Sequence, residues 1–338
     1  METEFVIGVD IGGTNIRAGI VDQNGKILSK SHRPVEHNKG QEGFEKNLMD
    51  CIKEQVDELK NIEDLRIGIG SPSPLNPITG FLHSPINVGC GEFPLKDKIM
   101  EKFNTKYVEV RNDLDAIALG YYHYGENSEQ GRGAPFLAVI APGTGLGSSI
   151  LFDGKPYFGS SRSEFLALEH HKTPYFGSTV EEIKAGIGKD LEDFTAGKGV
   201  ISIYNKLFGG SKNPKIAELI KTIAYEEKAW IINNFASDSK DEKFRQRYPE
   251  YVNLKDEICK KTYENVGKHL GYAIASFVTN FNPDIVILEG SISKAYDIMK
   301  TEMLMAYKKS VWDPHKDLPI VVGRLKDAGI KGASTLVR

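Results

Sequence analysis

Two distant stretches of this chain read alike. Phe5 to Asp22 run FVIGVDIGGTNIRAGIVD, and Phe136 to Asp153 run FLAVIAPGTGLGSSILFD. Each starts as an apolar run, meets a Gly-Thr turn, continues in an alternating stretch ending in Asp, and reaches a further turn at Gly25 or Gly154. Ile16, Ala18 and Ile20 alternate with Asn15, Arg17 and Gly19, which is the two-residue period of a strand rather than the period of a helix. Each glycine turn therefore joins two strands of a hairpin. That excludes a dinucleotide-binding fold or a Walker loop, whose glycines stand between a strand and a helix. GTGLG, residues 143–147, has the letters of such a fingerprint without its context. The duplication predicts an α/β chain of two domains with a cleft between the halves, and ligands of open α/β sheets gather at such crevices.

The length, 338 residues, agrees with two domains. A net charge of −3 without a long basic block argues against nucleic acid or a membrane surface as the main partner. The opening METEFVIGVD lacks the basic-then-apolar layout of a signal peptide, and no run of 18 apolar residues could span a bilayer. Three cysteines, Cys51, Cys90 and Cys259, lie far apart with no CxxC pair. They read as free thiols of a reducing compartment, so a cytoplasmic location is expected.

Helices and strands alternate around the two hairpins. Phe44, Leu48, Cys51, Ile52, Val56 and Leu59 fall at helical spacing, and Leu65 to Gly70 reads as the next strand. Tyr107 to Val110 is a strand running into a helix that begins near Asn112. Residues 212–250 are polar, with helices and an expected flexible stretch at SDSKDEKF. Val266, Leu270, Ala273 and Phe277 mark a buried helix before the strand Asp284 to Leu288. Gly290 and Ser291 then turn into a helix holding Ile298 and Met299, and LKDAGIKGAS reads as a short closing helix that packs back on the first domain. The expected domains are 1–118 with about 325–338, and 119–324.

A turn without side chains lets backbone amides approach phosphate oxygens, and Thr14, Asn15 and Thr144 add side-chain donors. One such turn per domain, Gly12-Gly13-Thr14-Asn15 and Gly143-Thr144-Gly145, could hold a triphosphate; the alternative is that these are hairpin turns that need glycine only for positive φ. Asp10 ends the first strand, where its carboxylate is placed to hold Mg²⁺ directly or through water. Asp113, in RNDLD at 111–115, is either a helix N-cap or the base that takes the proton from an attacking hydroxyl. Phosphoryl transfer asks little else of a protein than an aligned nucleophile, a base and charge stabilisation. Asn112 can both donate to and accept from a sugar.

DIGGTNIRAG, GSPSP (70–74), PIN (85–87), NDLDAIALG, APGTGLG, LEDFTAGKGV and AGIKGAS occur in the order seen in the ROK sugar kinases, and the chain resembles that family over nearly its whole length. GTGLG and AGKGVISIYN are also similar to the related bacterial glucokinases. The resemblance implies the two-domain actin-like (ribonuclease H-like) ATPase fold, ATP with Mg²⁺, a hexose acceptor and a homodimer. It matches Asp113 to the catalytic base and Asn112, Ser73 and Asn87 to the sugar site. It matches Glu192 to a glutamate bonding sugar hydroxyls near the anomeric end, and Gly290, in LEGS (288–291), to the nucleotide side. Glu289 beside it is a surface residue or a ribose contact.

The chain departs from the family at two places. Relatives commonly show Glu-x-x-His at the sugar; here SEFLALEHHKTP places Ala167 three residues before His170. His170 is then the family histidine, with Glu169 or Glu164 replacing the missing carboxylate; the alternative is a solvated loop. Many relatives carry a CxCGxxGCxE zinc site, and the corresponding AGIGKDLEDF has no cysteine, so no zinc is expected. The expected activity is an ATP-dependent hexose kinase of the glucokinase type. The alternatives are a kinase for another hexose or an N-acetylhexosamine, or a non-catalytic sugar-binding relative. The family's repressors place a helix-turn-helix before the first glycine motif, and with Asp10 so near the start of this sequence that reading carries little weight.

Overall fold

The computed structural model describes residues 5–59, 64–85, 87–157 and 178–338. The chain opens with β1 (Phe5–Ile11), β2 (Asn15–Asp22) and β3 (Ile27–Pro34), followed by helix α1 (Gly40–Glu58). Next come β4 (Arg66–Ser71), a small sheet of β5 (Leu75–Asn76), β6 (Phe81–His83) and β7 (Glu92–Pro94), then α2 (Leu95–Phe103), β8 (Tyr107–Asn112) and α3 (Asp113–Tyr124). The first sheet has the order β3-β2-β1-β4-β8. β1 to β3 are antiparallel, as the alternating hairpin sequence predicts, whereas β1, β4 and β8 run parallel. Phe44, Leu48, Cys51 and Ile52 of α1 are buried in one core with Ile7, Val9 and Ile69 of the sheet.

The second glycine hairpin is β9 (Phe136–Pro142) and β10 (Leu146–Phe152), followed by β11 (Lys155–Pro156). Beyond it lie three short helices, α4 (Val180–Ala185), α5 (Glu192–Thr195) and α6 (Gly197–Ser202), and then α7 (Pro214–Thr222), α8 (Tyr225–Ala236) and α9 (Glu242–Arg247). The long α10 (Glu257–Phe281) precedes β12 (Ile285–Leu288), α11 (Tyr296–Ser310), β13 (Ile320–Val322) and α12 (Ala328–Thr335). The second sheet has the order β11-β10-β9-β12-β13. Val266, Leu270, Ala273 and Phe277 are all buried on α10, as their spacing predicts.

The described residues divide into two compact units. One holds those up to Val139, Ser149 to Tyr157, and Gly323–Arg338; the other holds Ile140–Ser148 and Ser178 to Val322. In the first, α12 packs on β1, β4 and α3. The approach is backbone to backbone: a methyl at Gly68 would stand 1.8 Å from the Ala333 carbonyl oxygen, and one at Gly332 would stand 1.6 Å from that of Ala116. Only glycine fits either place.

The stretch SDSKDEKF is not loose, contrary to its polar composition. The Lys240 side chain is buried and donates to the carbonyls of Asn234 (2.6 Å) and Ser237 (2.9 Å), Asp241 caps α9 through Phe244 N, and the Phe244 ring is fully buried between Phe235 and Trp230. A lysine whose ammonium is paid for by two carbonyls behaves as a core residue, which composition alone does not show. No helix among the described residues is long and apolar enough to cross a membrane.

Candidate active site

In the first unit the parallel strands set the frame. Register pairs Asp10 with Gly70 across β1 and β4, then Gly70 with Arg111 and Ser71 with Asn112 across β4 and β8. Asp10, Gly70 and Arg111 thus form one row at the carboxyl ends of three parallel strands, where α/β sheets bind ligands. Asn112 is the N-cap of α3: its Oδ1 accepts from Leu114 N at 2.9 Å, and its Nδ2 donates to Ser73 Oγ at 3.0 Å. Asp113 is the first helical residue, and its Oδ1 also accepts from Leu114 N at 2.9 Å. A methyl on Gly70 would lie 2.9 Å from Ala116 Cβ and 3.4 Å from Asp113 Cα, so glycine lets α3 start close against β4.

The first glycine turn is closed by Gly12 N donating to the Asn15 carbonyl at 2.9 Å. Gly13 lies against Asn87, whose Cβ and carbonyl oxygen are each 3.3 Å from where a Gly13 methyl would be. Thr14 is exposed, and the Asn15 side chain turns to His32, Oδ1 to Nε2 at 2.7 Å. Asp10 is buried. Burial pushes its carboxyl above the usual carboxylate range, while Arg17, whose Nη2 donates to Asp10 Oδ2 at 2.7 Å, pulls it down. Asp115 is buried in the first turn of α3: burial lifts its carboxyl to about 7, opposed by the bond from Ser149 Oγ to its Oδ1.

In the second unit Gly143 N donates to the Gly145 carbonyl at 2.8 Å, and Gly197 N to the Gly143 carbonyl at 2.9 Å. Gly290 has φ +84°, and a methyl there would stand 2.5 Å from the Pro142 carbonyl oxygen. That packing brings Ser291 beside Gly143, with Ser291 N and Oγ at 3.7 and 3.8 Å from a Gly143 methyl position. Glu192 opens α5, and its Oε2 accepts from Leu146 N at 3.0 Å. Lys198 bridges Glu192 Oε1 at 2.7 Å and Asp193 Oδ1 at 2.9 Å.

The structure therefore groups Ser73, Asn112 and Asp113, brings Asn87 to the first turn, and brings Gly290 and Glu192 to the second. Glu164, Glu169 and His170 lie outside the described residues. Two partners were not singled out from sequence. Arg17 was legible, because the antiparallel register that pairs Asp10 with Arg17 follows from the hairpin itself. Lys198 stands in the quoted AGKG, but nothing in that spacing marks its pairing with Glu192.

Residues 6–338 match the profile of the ROK family. A glucokinase of Thermotoga maritima is 27% identical over 343 residues, covering 98% of this chain and 97% of that protein. A glucokinase of Halalkalibacterium halodurans is 26% identical over 301 residues, covering 88% and 84%. The DNA-binding transcriptional dual regulator NagC of Escherichia coli is 24% identical over 345 residues, covering 98% of this chain and 75% of that protein. Among solved structures, a ROK family glucokinase from Streptomyces griseus in complex with glucose and AMPPNP superimposes with a TM-score of 0.68 at 22% identity, covering 99% of both chains. The fold is the two-domain actin-like ATPase fold of these proteins. With a family match that runs from the first strand to the last residue, this chain belongs to the ROK family.

Proposed function

We propose that the protein is an ATP-dependent hexose kinase, with glucose the first acceptor to test. The observation that carries the reading is the place of Asp113: it opens α3 directly beyond β8, packed on Gly70 of the strand-end row that also holds Asp10. Asp113 takes the proton from a hexose hydroxyl as that oxygen bonds to the terminal phosphorus of ATP; the bond from phosphorus to the bridging oxygen breaks, and ADP leaves. Asn112 and Ser73 hold the sugar, joined by Asn87 and Glu192. Each glycine turn contributes backbone amides to donor phosphates, and Gly290 lets the chain pass closely at the nucleotide side.

Asp10 suits Mg²⁺ as a hard oxygen donor: it is a buried carboxylate with Gly329 so close that a methyl there would come within 2.7 Å of its Cγ. The ion would neutralise charge on the donor phosphates. Relatives named glucokinase support glucose, and the altered Glu-x-x-His at 167–170 supports a shifted preference as the second reading. We further propose a cytoplasmic homodimer, which light scattering of the purified protein tests as to assembly.

The test is ADP release with Mg-ATP across glucose, mannose, fructose, N-acetylglucosamine and N-acetylmannosamine. Turnover chiefly with glucose supports the glucokinase reading, and turnover chiefly with another sugar keeps the kinase and corrects its acceptor. Binding of a sugar without ADP release from any of them overturns the kinase in favour of a non-catalytic relative.

A further inference from the structure

Helix α4 is anchored by a charge instead of by apolar contact. Its Val180 and Ile183 are 59% and 66% exposed, and its one buried side chain is Glu182, at 1%. A buried carboxylate survives only when donors surround it. Oε2 of Glu182 accepts from Thr179 N at 2.7 Å, closing a capping box. Oε1 accepts from Asn265 Nδ2 at 3.0 Å and Lys268 Nζ at 2.9 Å, and pairs with His269 Nε2 at 2.8 Å. These three partners sit within one turn of α10, spaced so that they share a face. Asn265 gives its amide nitrogen to Glu182 while its own Oδ1 is buried without a hydrogen-bond partner. Burial alone would raise the Glu182 carboxyl; the bonds from His269, Asn265 and Thr179 outweigh it and hold the group well below the usual carboxylate range.

The cluster continues towards Glu192. The fully buried His269 ring stands 4.6 Å, centroid to centroid, from Phe194, which is itself fully buried two residues after Glu192. Between α4 and α5 the chain buries Ile187 and Leu191 and adds polar ties: Lys206 Nζ to the Gly186 carbonyl at 2.7 Å, and Lys189 N and Asp190 N to Asp193 Oδ2 at 3.1 and 3.3 Å.

We propose that Glu182 is a positioning residue for Glu192: its carboxylate pins the start of the 179–194 segment to α10, and His269 passes that constraint through Phe194 to the helix that presents Glu192. The inference rests on the reading of Glu192 as a sugar contact. It predicts that Glu182 influences sugar binding only through Glu192.

The experiment measures hexose KM and kcat for the wild type, Glu182→Gln, Glu192→Gln and the double variant, with amide hydrogen exchange on Glu182→Gln. Glu182→Gln should raise hexose KM about tenfold, and the double variant should be no worse than Glu192→Gln to within about twofold. Exchange should rise at least about tenfold over residues 187–196 while the core of α10 stays protected. Independent, multiplying effects of the two substitutions overturn the proposal, as does an exchange change that is absent or spread evenly over the second unit. An unchanged hexose KM in Glu192→Gln instead removes the sugar-contact reading, and the exchange arm then decides alone whether Glu182 pins the segment. Should Glu182→Gln fail to fold, Asn265→Ala removes one donor and is judged by the same two readouts.

Discussion

Oε2 of Glu192 stands 2.7 Å from the point where a methyl on Gly145 would be, so the glutamate read as a sugar contact touches the glycine turn read as a phosphate site. The two assignments therefore share one surface. Gly145→Ala should push the Glu192 carboxylate off Leu146 N and raise KM for both hexose and ATP, each by about tenfold, given the sensitivity of such sites to small displacements. A substitution that moved only the ATP value would separate the two functions. Steady-state kinetics with each substrate varied in turn makes the distinction.

Asp113→Asn should lower kcat by about 10²- to 10⁴-fold, the usual worth of a general base. Nucleotide binding, read by calorimetry, should hardly change. Stability should fall by less than about 1 kcal/mol, because Asn112 keeps its N-cap bond to Leu114 N. Near-normal turnover would take the base role away from Asp113.

Much of this frame could be read from the letters. The hairpins announce themselves through alternation on both sides of a glycine turn, and Asn112 and Asp113 through their place between a strand and a helix. The tie between Glu182 and α10 could not be read, because its three partners on that helix lie 83 to 87 residues further along. Nor could the burial of Lys240: a lysine inside SDSKDEKF reads as solvated until the carbonyls of Asn234 and Ser237 are seen to take its ammonium.

Asp115 gives stability a pH dependence of definite sign. Its folded-state pKa, about 7, is above the ordinary aspartate value of 3.8, so between the two the folded chain binds a proton the unfolded chain has lost. The contribution is whole below pH 3.8 and is lost as pH rises through about 7. Urea midpoints at pH 5.5 and 8, conditions chosen inside and above that window, should fall on going to the higher pH, by an amount equivalent to about 2 kcal/mol. Asp115→Asn, which can keep a bond with Ser149 without a titrating proton, should remove most of the difference.

Gly332→Ala should destabilise the chain by more than about 3 kcal/mol, since the added methyl would meet the Ala116 carbonyl oxygen with no room on either backbone. Chemical denaturation followed by circular dichroism would show it. A midpoint within error of the wild type would mean that α12 can move away from α3 at little cost.

The seat of α12 also bears on how the chain is made. The first unit's opening strands leave the ribosome early, yet the helix that covers β1, β4 and α3 is synthesised only after the whole of α4 to α11. Until then the apolar and glycine-lined face of that sheet stands open to water and to other nascent chains. The second unit, whose elements are consecutive apart from its share of the β9–β10 hairpin, is complete first. Translation thus imposes an order that the finished molecule does not display: the domain begun first is finished last, and the interval between is when the protein is most exposed to aggregation and to chaperones.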